Sequence, residues 1–181
     1  PLNRHGDQSG PADDNTAEAL RRLLAHLKAT YSSADDGSVD YAALRESEDI
    51  QEIEAAAAGL CRFDPRRLTG HDERVAFWVN LYNALTIHAV IAFGVQTSVL
   101  RQRGFFRRAR YQVGPFILSL DAIEHGILRG NRTLPVIPAR IFAPGDPGLE
   151  LVIAEPDPRI HFALNCASRS CSATSCRRSA F

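Results

Sequence analysis

The order of apolar and polar positions divides the chain into a helical first half and a mixed second half. Residues 1–14 (PLNRHGDQSGPADD) are polar and rich in Gly, Pro and Asp, and predict a disordered tail. Leu20, Leu23, Leu24 and Leu27 then recur at helical spacing, which predicts a helix running to about Tyr31. Asn15 or Thr16 can cap it, and Glu18 in its first turn suits the helix dipole. SSADDGS (32–38) reads as a loop, 38–44 as the opening of a short helical turn, and 46–60 as an Ala-rich, weakly amphipathic helix. Asp64-Pro65 marks a further helix start, with Pro at the first helical position.

The most apolar stretch is 75–95 (VAFWVNLYNALTIHAVIAFGV). Its length fits a membrane span. Asn80, Asn83, Thr86 and His88 interrupt it, and such groups are costly in hydrocarbon. The pattern therefore predicts a helix buried nearly all round, at about 75–93, with Gly94 ending it. Beyond it the period changes. Tyr111-Gln112-Val113, Gly114-Pro115 and Phe116-Ile117-Leu118 predict a β-hairpin with a tight turn. Ser119 caps a following helix that ends near Gly130. Residues 131–150 predict loop with a short strand at 140–142. Residues 151–154 and the alternating RIHFALN (159–165) predict strands. The expected fold is α+β: a buried central helix packed on a small, mostly antiparallel sheet, in a single domain over 15–171.

Composition changes this picture little. Hydrophobic residues at 45% and charged residues at 23% are ordinary for a globular, soluble domain. The formal net charge is zero, so no global field draws nucleic acid or a membrane surface. The zero conceals a split: residues 1–70 hold 8 basic and 13 acidic side chains, and residues 71–181 hold 13 basic and 8 acidic. An anionic small substrate would favour the second part. Residues 101–110 carry five Arg with Phe105 and Phe106. Such interleaving can bind nucleic-acid backbones. One short cluster on a neutral chain is a poor footprint, so the preferred reading is a solvated loop anchored by its two Phe. The sequence starts at Pro1 and contains no Met, as expected of a processed chain or a fragment.

Three stretches, FWVNLYNALTIH (77–88), SLDAIEHGILR (119–129) and DPRIHFALNCASRSC (157–171), together resemble the domain of unknown function 547 family over about residues 40–171. The resemblance leaves open a distant relation to papain-like or transglutaminase-like folds. It also favours an exported or periplasmic location, although no signal peptide is visible in the sequence. The chain departs from the family at its end, with Ala167 where members carry Gly and Ser172 where they carry Pro. Residues 172–181 (SATSCRRSAF) are therefore expected to be an aberrant tail on an incomplete domain, with Cys176 outside the family pattern.

Candidate chemistry concentrates at Glu124, His125, His161 and Cys166. Cys166 enters a small polar loop beside Arg169, a setting that favours the thiolate. His125 is the candidate general base and Glu124 its orienter, although neighbours on an α-helix point about 100° apart. The competing reading makes Cys166 an inert buried thiol. His161 lies an odd number of residues from Cys166, on the opposite face of the expected strand. Asn80, Asn83 and His88 share an arc of about 140° on the buried helix, and either tie it to loops or line a pocket. Candidate substrate contacts are His88, Asn83, Arg129 and Arg169, and Arg129 and Arg159 could equally close local salt bridges. Cys166 and Cys171 with His125 or His161 could hold zinc, but Cys-x4-Cys is at the edge of the usual spacing and no second pair exists. A Cys166–Cys171 disulfide is the alternative in an oxidising compartment. Three functions stay open. One is a cysteine-dependent hydrolase or transferase acting on an amide or thioester in a small molecule or peptide. The others are a non-catalytic binding or scaffold module and a zinc-binding domain. No cofactor, nucleic-acid partner or membrane span is expected, and the oligomeric state is left open.

Overall fold

The computed structural model describes residues 1–3, 15–33, 38–96, 98–133 and 139–164. Most of the expected N-terminal tail, Arg169, Cys166, Cys171, Cys176 and the expected C-terminal tail lie outside these residues. Helix α1 (Thr16–Tyr31) buries Leu20, Leu23, Leu24 and Leu27 along one stripe. Each such Leu contributes roughly 1.5–3 kcal/mol when withdrawn from water. Short α2 (Tyr41–Glu46) is capped by Asp40, whose carboxylate accepts from the backbone N–H of Ala42 and Ala43. Helix α3 (Asp49–Gly59) buries Ile53 and Ala57. All three pack on α4 (His71–Ala92), the strut of the domain.

Helix α4 begins four residues before the apolar run, because Glu73 reaches back to the N–H of Gly70 and anchors the first turn. Every residue from 81 to 90 is buried. The helix is long and apolar enough to cross a membrane by length and composition alone. However, 72% of its most apolar window is buried inside the fold, as in a core helix. It ends as expected: Gly94 takes φ +62°, and Val95 N–H donates back to Val90 O at 2.9 Å.

After α5 (Phe105–Arg108) come β1 (Arg110–Val113) and β2 (Phe116–Ser119), an antiparallel pair with Tyr111 opposite Leu118 and Val113 opposite Phe116. Those four side chains are buried on one face, while Ile117 on the other is half exposed. The turn needs glycine twice over. Gly114 has φ +54°, and a Cβ there would lie 2.5 Å from Phe63 O. Asn3 covers the free edge of β1, exchanging hydrogen bonds with the Gln112 backbone and donating to Ala57 O. The fold is thus α+β, with a two-stranded sheet among the described residues.

The second half departs from expectation in three places. Residues 159–165 were expected as a strand, but Ile160–Ala163 is a helical turn, α6. Asp157 Oδ1 accepts from Arg159 N–H and starts that turn, a local bond that an alternating pattern does not reveal. Only Ile160 of the turn is buried, so four residues with one apolar anchor mimic period two. Residues 140–142 form a bend, held by Asn131, which accepts from Phe142 N–H and donates to Phe142 O. Residues 151–154 follow a 3-10 helix, Pro147–Leu151, opened by the Asp146 carboxylate. Ile153 contributes a single ladder-like bond, from its N–H to Ile127 O.

Candidate active site

Ser119 caps the helix after the hairpin as its sequence suggests, accepting from Ala122 N–H at 3.1 Å. The body of that helix, Ala122–Leu128, is a π-helix. Its wider turn is closed by Arg129 N–H donating to Glu124 O, five residues back. π-Helical turns are rare and cluster at functional sites. Phe142 packs against this turn and requires glycine at its centre. Its ring lies so close to Gly126 that a Cβ there would approach to 2.5 Å.

The widened turn carries Glu124 and His125. Glu124 Oε2 accepts from Tyr82 Oη at 2.9 Å, and Oε1 accepts from Arg129 Nε and Nη2 at 3.1 and 2.9 Å. Arg129 therefore takes the salt-bridge fate that its position allowed. The carboxylate is held by α4 on one side and by its own helix end on the other. The Asp121 carboxyl, about half buried, is pushed above its usual range by burial, against the opposing pull of His125. His125 sits one turn beyond it, partly buried, and its Nδ1 is withdrawn from solvent with no hydrogen-bond partner among the described residues. Buried ring nitrogens are normally paired, which sets this atom apart.

Asn83 follows Tyr82 on α4. It is buried, and its Nδ2 donates to Ala163 O at 3.0 Å, three residues before Cys166. Consecutive residues of α4 thus hold the two arms of the candidate site, Tyr82 the π-helix and Asn83 the segment that leads to the cysteine.

The remaining candidates lie elsewhere. His88 is 6% exposed, with Nδ1 2.9 Å from Tyr111 Oη. Tyr111 Oη gives its single proton to Leu85 O, so His88 Nδ1 must be the donor in this contact. Burial holds the His88 imidazole below its ordinary pKa, in the neutral form. Arg159 pairs with Asp157, and Asn80 is half buried on α4. His161 stacks edge-on with Phe162 in α6. Among the described residues no group of three His, Cys, Asp or Glu is placed to hold a metal ion. Sequence reasoning overlooked Tyr82. The available signal was a hydroxyl in an otherwise buried aliphatic run, which must find a partner.

These observations define an α+β domain with a histidine and a carboxylate on a π-helical turn, a second carboxylate at the start of that turn, and the central helix bracing it. The family described as "Protein of unknown function, DUF547" matches residues 65–178, more than half of the chain and all three motifs. The chain belongs to this family. No curated protein and no solved structure matches it.

Proposed function

We propose that the domain is a cysteine-dependent acyl-transfer enzyme acting on an amide or thioester, with Cys166 as nucleophile and His125 as general base. The observation that carries this reading is the unpartnered, solvent-shielded Nδ1 of His125, on a turn braced by the same helix that grips the approach to Cys166. In the first step the Cys166 thiol passes its proton to His125 and the sulfur adds to the carbonyl carbon. The amine or thiol then departs with that proton, leaving an acyl thioester. Water or a second nucleophile releases the acyl group and restores the thiol. Asp121 steadies the imidazolium, while Glu124 fixes the turn through Tyr82 and Arg129. Asn83 positions the Cys166 segment, and Arg169 lies close enough in sequence to favour the thiolate.

The test is the alkylation rate of Cys166 against pH, with Cys61, Cys171 and Cys176 changed to Ser, compared with the same chain carrying His125→Ala. A Cys–His pair puts the midpoint well below the roughly 8.5 of a free thiol, and His125→Ala moves it back up. Turnover of an amide or thioester substrate should fall by about 10²–10⁴ in that variant. An ordinary midpoint, unmoved by His125→Ala, rejects the nucleophile and leaves a binding or scaffold module.

A further inference from the structure

Between Glu73 and Asp121 the sequence contains no acidic residue, and residues 101–110 carry five Arg. All five (Arg101, Arg103, Arg107, Arg108 and Arg110) are exposed. None forms an ion pair among the described residues. The aromatic residues of the segment are more withdrawn. Phe105 is 1% exposed and packs edge-on against both Phe93 and Phe106, and Arg108 lies over the Phe93 ring. What remains on the surface is a field of guanidinium groups beside Leu100, which is 69% exposed. Gly104, at φ +69°, ends the stretch that carries Arg101 and Arg103 and starts α5.

We propose that this surface docks the domain on an anionic lipid membrane, with the arginines on headgroup phosphates and Leu100 in the acyl boundary. Two features select a bilayer over nucleic acid. A single-stranded nucleic-acid site needs exposed rings on which bases stack, and here Phe105 is in the core and Phe106 is partly buried against it. An exposed aliphatic side chain next to exposed cations in the chain is what an interface between headgroups and hydrocarbon accommodates. The inference is independent of any role for Cys166. Leu120 N–H donates to Ala109 O, so the patch joins directly onto the start of the π-helix.

Sedimentation with vesicles of phosphatidylcholine, alone or mixed with phosphatidylserine, tests this on the intact chain. Partitioning should be at least about tenfold stronger on the serine-containing vesicles and should decline as salt rises. Arg101→Gln with Arg103→Gln should weaken it about 25-fold, about fivefold per charge. Leu100→Ser should weaken it on the order of tenfold. Thermal melting should be unchanged in both variants, since these side chains touch solvent. Equal partitioning on the two vesicle types, or variants that bind like the parent, overturns the proposal. So does tighter binding to a single-stranded oligonucleotide that Leu100→Ser leaves intact.

Discussion

Two histidine–tyrosine nodes hang on α4, and they are built to opposite ends. In the inner node, His88 donates to Tyr111, which donates to Leu85 O, and the chain of bonds closes inside the core. In the outer node, Tyr82 and Arg129 satisfy Glu124, while His125 beside it keeps a shielded nitrogen with no partner among the described residues. Both draw on the same helix and the same residue types. Completeness separates them. A closed polar network adds stability and has nothing left to offer a ligand, whereas an open one gives up some stability and keeps an atom free for chemistry.

The largest effect that should break or uphold this contrast comes from opening the closed node. Tyr111→Phe strands the His88 Nδ1–H in the core and should cost about 1–3 kcal/mol in urea unfolding. His125→Leu removes an atom that already lacks a partner, and should change stability by no more than about 0.5 kcal/mol. Similar losses in the two variants would erase the distinction. Next comes Glu124→Gln, which weakens the bond from Tyr82 and the ion pair with Arg129. Arg129 is 38% exposed, so solvent screening limits that loss to about 1 kcal/mol. Any larger drop in thiol reactivity than in stability would assign Glu124 to the site itself.

The smallest and most diagnostic effect is in pH dependence, where the nodes should pull in opposite directions. Burial lowers the folded pKa of His88, so below about 6.5 the unfolded chain binds a proton that the native state refuses. Stability is lost there as pH falls. Burial raises the folded pKa of Asp121, so its contribution is full below about 3.9 and is lost as pH rises through the folded value. Urea midpoints of His88→Gln should lose slope on the neutral side, and those of Asp121→Asn on the acid side. Unchanged slopes in both would show that neither burial persists in solution.

The contrast also explains what could be read from residues alone. Helix α4 was legible because ten consecutive buried positions leave one solution, and the hairpin because Gly114-Pro115 is unambiguous turn chemistry. The α6 turn was not, because one Asp157 bond outweighs the alternation of RIHFALN. The π-helix left no periodic trace, since seven residues are too few to separate its period from that of an α-helix. Glu124 and His125 were identifiable as reactive types on one helix. Their division of labour was not, because Tyr82 lies 42 residues from Glu124 in sequence.

Phe142 carries a consequence of its own. Its ring is slotted between Gly126 and Gly148, and a Cβ at either would come within 2.5 Å of opposite edges of the ring. Neither glycine can acquire a side chain while the phenyl ring stays, and no larger ring can enter while the glycines stay. The three positions therefore behave as one heritable unit, spread over 23 positions of sequence. Drift at any of them passes through a poorly packed intermediate, so substitutions here should arrive in pairs or not at all.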